Sequence, residues 1–100
     1  MKLVYYPEVG DGVTYDIGTD SYGATVIDVS PSKNRVTIQM DKSTLVEGSR
    51  QSDWQVYEFE RNPEGSIYHF TRRKDGRYKL KGLRCGSISR GRSQYLDPSY

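Results

Sequence analysis

Tyr68-His69-Phe70-Thr71-Arg72-Arg73-Lys74-Asp75-Gly76-Arg77-Tyr78-Lys79-Leu80 alternates ring or aliphatic side chains with polar ones on either side of a Lys-Asp-Gly step. Alternation with a period of two marks a strand with one buried face, and an Asp-Gly pair between two such runs marks a hairpin. Two registers compete. A two-residue Asp-Gly turn sets Phe70 opposite Lys81 and Thr71 opposite Leu80, which splits the apolar residues between faces. A three-residue loop, Lys74-Asp75-Gly76, is a type I turn closed by glycine in the left-handed region. It sets Arg73 opposite Arg77, Arg72 opposite Tyr78, Thr71 opposite Lys79 and Phe70 opposite Leu80. A one-residue slip turns every side chain over, so the hydrophobic pattern selects the second register.

Working back from this hairpin, Asn62-Pro63-Glu64-Gly65 reads as a four-residue connection that pairs Phe59 with Tyr68 and Tyr57 with Phe70. The three-strand meander over Trp54 to Gly82 then has a core face of Tyr57, Phe59, Tyr68, Phe70, Tyr78 and Leu80. The other face carries Trp54, Val56, Glu58, Glu60, Ile67, His69, Thr71, Arg73, Arg77, Lys79 and Lys81. Aromatic, acidic and basic side chains are seldom mixed in this way on a merely solvated surface.

Towards the N-terminus, Val13, Tyr15 and Ile17 alternate after Gly10-Asp11-Gly12 and predict a strand. Gly18-Thr19-Asp20-Ser21 is a turn. The run Tyr22 to Val29, with Ala24, Val26, Ile27 and Val29, predicts a strand buried on both sides or carrying a bulge. Ser30-Pro31-Ser32-Lys33-Asn34 turns the chain into Arg35 to Asp41, with Val36, Ile38 and Met40 inward. From Lys42 to Asp53 the pattern lapses, and the reading there is a long loop, functional or mobile. Beyond Gly82, Leu83, Cys85 and Ile88 suggest a short closing strand, and Arg90-Gly91-Arg92 with Tyr95, Leu96 and Tyr100 an arm that orders on the domain or on a partner. No stretch has a helical period. The expectation is an all-β domain over residues 1–82, followed by a strand and arm over 83–100.

Composition agrees with a single small core. The chain has 100 residues, of which 34% are hydrophobic, and its nine Tyr, two Phe and one Trp supply large amphipathic rings. Mean hydropathy is −0.81. No apolar run reaches the ~20 residues of a membrane-spanning helix, and Met1 to Pro7 is too short and polar for a signal peptide, so a cytoplasmic protein without membrane attachment is expected. Cys85 is the sole cysteine and His69 the sole histidine. An intramolecular disulfide is thereby excluded, and a zinc set of Cys and His is not expected.

The opening Val9-Gly10-Asp11-Gly12-Val13, followed by Tyr22-Gly23-Ala24-Thr25-Val26-Ile27-Asp28-Val29 and Arg35-Val36-Thr37-Ile38-Gln39, resembles the start of SH3-like small barrels of the Tudor, Agenet and KOW type. The likeness implies an SH3-like barrel of five to six antiparallel strands. Tudor domains use aromatic cages, and Tyr15 and Tyr22 fall near where cage rings would sit, although the first half holds no compact set of four aromatics. The whole chain, including Thr71 to Arg77 and the ending Asp97-Pro98-Ser99-Tyr100, also resembles small proteins encoded by bacteriophages and prophages. That resemblance implies a host-cell cytoplasmic location, and either nucleic-acid handling or the disabling of a host defence.

Charge is lopsided along the chain. Residues 1–60 carry five bases against ten acids, a net of −5, and residues 61–100 carry ten bases against three acids, a net of +7, within an overall +2. An anionic partner for the second half, or compensation within the fold, accounts for this equally well. A catalytic reading would rest on Cys85 and His69, the latter opposite Glu58 in the expected register. Nothing places the thiol beside the imidazole, phosphate-cradling glycine loops are absent, and no enzyme activity or cofactor is expected. Directly opposed like charges are costly unless an anion lies across them. Arg73, Arg77, Lys79 and Lys81, with His69 and Trp54 as stacking rings, are therefore the expected contact set for nucleic acid or a nucleotide. Arg90, Arg92 and Tyr95 are candidate arm contacts. The alternative is a module that inhibits a host protein, with Tyr and Arg as interface anchors and Asp11, Asp16, Asp20 and Asp28 facing a basic channel. Burial of the aromatics by a second copy, in a homo-oligomer, stays open.

Overall fold

A computed structural model describes residues 6–18, 20–49, 51–74, 76–80 and 86–96. Eight strands follow one another in the chain: β1 (Gly12–Asp16), β2 (Ser21–Val29), β3 (Arg35–Met40), β4 (Lys42–Gly48), β5 (Gln55–Glu60), β6 (Ile67–Arg72), β7 (Tyr78–Leu80) and β8 (Ser87–Arg90). No helix occurs among the described residues. β1, β2, β3, β6, β7 and β8 close, in that order, into an antiparallel barrel, while β4 and β5 pair only with each other. The protein is an all-β, small SH3-like barrel with a projecting hairpin.

Alternation builds the barrel core. Val13, Tyr15, Ala24, Val26, Val36, Ile38, Phe70, Tyr78 and Leu80 are buried together, with Val29, Met40, Tyr68 and Ile88 packed against them. Tyr15 is the centre of the ring packing, with its centroid 5.0 Å from Tyr68 and 5.6 Å, edge to face, from Phe70, the geometry that opposed ring quadrupoles favour. The bulge anticipated in β2 falls at Ile27, between the pairs Val26–Ile38 and Asp28–Thr37. β1 ends one residue sooner than its alternation suggests, because the Ile17 N–H donates to Asp20 C=O (3.0 Å) in the turn. The 73–77 turn has the expected register, with Phe70 opposite Leu80, Thr71 opposite Lys79 and Arg72 opposite Tyr78. Gly76 takes φ +87°, open to glycine at no steric cost.

Three expectations need correction. Residues 42–48 are a strand and not a loop: β4 pairs with β5 from Lys42–Glu60 to Gly48–Gln55. β5 does not pair with β6, since β6 lies between β3 and β7, with Gln39 opposite Ile67 and Arg35 opposite Thr71. Tyr57 and Phe59 consequently leave the barrel core for the hairpin.

The physical origin of all three is one long bent ribbon. β3 continues through Asp41 into β4, and β5 returns towards β6, but the returning arm carries residues 61–66 as an excursion at the level of Asp41. Gln39 holds that excursion, donating from Nε2 to Pro63 C=O (3.0 Å) and Gly65 C=O (3.1 Å) and accepting from Arg61 at Oε1 (3.2 Å). At the bend the Asp41 N–H donates to Gly23 C=O (3.1 Å).

Gly23 faces outward on β2 and the Phe59 ring lies directly on it, so close that an added Cβ would collide with the ring. Gly23→Ala must therefore push Phe59 off the barrel. We expect a loss of about 1–3 kcal/mol in urea unfolding. An unchanged midpoint would show that the hairpin does not depend on this seat.

Candidate functional site

The pairing of β3, β6, β7 and β8 aligns their outward side chains in rows. One row is Arg35, Thr71, Lys79 and Ser87. The next is Asp28, Thr37 and His69. Outward orientation follows from alternation with buried Val36, Ile38, Phe70 and Leu80. Thr37 Oγ1 and His69 Nδ1 are hydrogen bonded at 3.0 Å, which sets the imidazole plane. Asp28, Ser30, Pro31, Arg35, His69 and Thr71 are among the residues lining an open groove of about 460 Å³ along these rows. Arg73 and Arg77 extend the surface at the β6–β7 turn, where Arg73 N–H donates to Arg77 C=O (2.8 Å).

Of the six sequence-predicted contacts, the structure brings His69, Arg73, Arg77 and Lys79 onto this surface. Lys81 lies outside the described residues, as does Cys85. Trp54 is elsewhere: it closes the β4–β5 turn, accepting from the Ser49 N–H (3.0 Å), with its side chain in solvent and the residue 63% exposed. Its neighbours Asp53 and Gln55 bind the arm, through Tyr95 Oη (3.0 Å) and Leu96 C=O (2.7 Å). Tyr95 pairs with Ser21, at the opposite end of β2 from Asp28, about 20 Å along the strand. Glu58 and Glu60 face Thr44 and Lys42 instead of His69 and the basic row.

The arm packs on its own domain. Arg92 Nε donates to Asp41 Oδ2 (2.7 Å) and its Nη2 to Thr25 Oγ1 (2.8 Å). The Ser93 N–H donates to Thr14 Oγ1 (2.9 Å). Arg90 ends β8, opposite Val13. Tyr15 of the anticipated cage is in the core, and Tyr22 lines a separate groove with Tyr57 and Leu45.

Sequence reasoning missed Arg35, Lys33, Arg72 and Tyr6. Arg35 joins the basic row only through the β3–β6 pairing, which no local signal announces. Lys33 and Arg72 come together at the barrel end because Arg72 N–H donates to Asn34 C=O (2.8 Å) and Tyr78 Oη to Lys33 C=O (2.7 Å). Burial raises the Tyr78 hydroxyl above its usual 10.0, opposed by Arg72 and reinforced by Tyr6, so this donor stays protonated near neutral pH.

Among the described residues no three His, Cys, Asp or Glu side chains converge as a metal set, and no helix is long and apolar enough to cross a membrane. Comparisons with protein-family models, curated proteins and solved structures found no match.

Asp41 is 1% exposed at its side chain and Arg92 34%. Arg92→Ala leaves a buried carboxylate with a lost partner. The expected cost is about 3 kcal/mol, the low end for a buried pair because the arginine is partly solvated. Thermal unfolding monitored by tyrosine fluorescence would measure it, and a change within error would mean that water replaces the guanidinium.

Proposed function

We propose that this protein is a non-catalytic binding module whose β3–β6–β7 surface engages the phosphates of a nucleic acid strand. The observation that carries the reading is the row Arg35, Thr71, Lys79, extended at the β6–β7 turn by Arg73 and Arg77. Arg35 and Lys79 lie two strands apart, about 10 Å, with Thr71 between them, so a phosphodiester backbone laid across the row can meet both cations while releasing counterions. Thr71 and Ser87 add hydroxyl donors within the row, and exposed His69 offers a ring for a base to stack on. Asp28 at the groove rim repels phosphate and so limits the anionic path to the Arg35 side.

A strand is favoured over a free nucleotide because the basic row runs across an open surface and not into an enclosed pocket. The resemblance to bacteriophage-encoded proteins is compatible with such a role. A second reading, docking to a host protein, draws on the projecting hairpin, where Trp54 and Val46 are exposed beside Glu47 and Asp53. A solvated Trp at an interface centre is a common anchor.

Isothermal titration with single-stranded DNA, RNA and cyclic nucleotides separates these readings. Arg35→Ala with Lys79→Ala should weaken strand binding by well over tenfold, and the salt slope should fall by about 1.4 units, for two lost phosphate contacts. Trp54→Ala should leave strand affinity unchanged. Wild-type protein that binds no nucleic acid at low salt would overturn the proposal and leave the hairpin reading in its place.

A further inference from the structure

The end of the barrel beside the basic row holds two cations on one aromatic ring. The Arg72 guanidinium carbon is 4.8 Å from the Tyr6 ring centroid and Lys33 Nζ is 5.3 Å from it. Arg72 follows outward Thr71 and shares the inward side of β6 with buried Phe70, opposite buried Tyr78. It is thus a charged side chain at the mouth of an apolar barrel. Its Nε is buried and has no hydrogen-bond partner among the described residues. Neither Arg72 nor Lys33 forms an ion pair with a carboxylate among the described residues.

Lys33 takes φ +63° within the β2–β3 turn, where its N–H donates to Ser30 C=O (2.9 Å) and the Ser30 N–H donates to Arg35 C=O (3.0 Å), a turn position that left-handed residues commonly fill. The Tyr78 hydroxyl and the Asn34–Arg72 backbone bond tie this turn to the barrel end. Two cations converging on one ring form an arrangement that an anion completes.

We propose that this barrel mouth binds a terminal phosphate monoester, held by Arg72 and Lys33. A guanidinium presents paired N–H donors matched to two phosphate oxygens. A monoester carries about −1.5 to −2 charges at neutral pH, close to the charge of the two cations, whereas a diester carries one. The Tyr6 ring lies against the guanidinium, so a chain end can reach it where a continuous backbone cannot. The outer row is near on each strand: Arg35 comes two residues after Lys33, and Thr71 immediately precedes Arg72. A strand lying on that row therefore has its end at the mouth. This assignment rests on the nucleic-acid reading for the polymer to which the phosphate belongs, but not for the phosphate site itself.

Fluorescence anisotropy with an internally labelled oligothymidine bearing a phosphate at its 5′ end, at its 3′ end or at neither tests the proposal. One phosphorylated form should bind wild type about fivefold or more tighter than the unphosphorylated strand. That preference, read as the ratio of phosphorylated to unphosphorylated affinity within each variant, should fall to one in Lys33→Gly and Arg72→Gln, whatever the general loss of strand affinity from the missing cation. Lys33→Gly suits the left-handed backbone, so it reports on the charge even if Arg72→Gln fails to fold. Equal binding of all three strands by wild type would overturn the monoester site and leave the nucleic-acid reading intact. If no strand binds, that reading fails, and titration of inorganic phosphate followed at the Arg72 Nε–H resonance decides the site: a saturable shift lost in Lys33→Gly supports it, and no shift overturns it.

Discussion

The buried carboxylate of Asp41 is the constraint on which the arrangement of the whole molecule depends. It accepts from the Thr25 hydroxyl at 2.6 Å and from Arg92 Nε at 2.7 Å, with its side chain 1% exposed. A carboxylate withdrawn from water is tolerated only when its oxygens are met by donors, so the three elements that meet here are fixed relative to one another. β2 supplies Thr25, the arm after β8 supplies Arg92, and Asp41 itself sits where the β3–β4 chain leaves the barrel. The bend, the docking of the arm and the direction of the hairpin are thus a single problem of satisfying one buried charge.

The exposed face follows from that bend. A straight continuation of β3 into β4 and of β5 into β6 would carry the ribbon onward in the plane of the sheet. Instead the ribbon turns away and its excursion covers only Gln39, at one end of β3. The outward side chains further along β3 and β6, from Thr37 and His69 to Arg35 and Thr71, stay open along the groove. The hairpin rests its Phe59 ring on Gly23 and is tied to the arm through Gln55 and Leu96, so it closes over β2 and not over the basic surface.

Charge is sorted in the same way. The excess of bases in the second half is partly internal compensation, as with Arg92 on Asp41, and partly a true cluster. The cluster recruits Lys33 and Arg35 from the acidic first half, because the turn before β3 and the turn after β6 lie at one end of the barrel. The exposed Lys42–Glu60 pair at 3.8 Å contributes little, as solvated ion pairs generally do. Charge counted along the chain and charge counted over the surface are therefore different quantities.

Local chemistry determined much of this protein. The alternation in β1, β2, β3, β6 and β7 and the register across Lys74-Asp75-Gly76 were legible, because each depends on residues within one hairpin or one strand, while the β2 bulge was one of two readings that the run Tyr22 to Val29 left open. His69, Arg73, Arg77 and Lys79 on one surface were legible too, since β6 and β7 are adjacent in chain and in space. β4 was not legible: a two-stranded ribbon that buries little, with only Leu45 and Val46 apolar, needs no hydrophobic period. Nor was the partner of β6. Tyr57 and Phe59 fit a core face opposite Tyr68 and Phe70 as well as the pattern requires, and hydrophobicity does not distinguish that pairing from Val36 and Ile38 on β3. The barrel chose β3 because closure leaves no free edge and because Asp41, with Thr25 and Arg92, drew the intervening chain outward. Local alternation determines which face of a strand is buried; only the tertiary structure decides which strand lies beside it, and through that which cations meet.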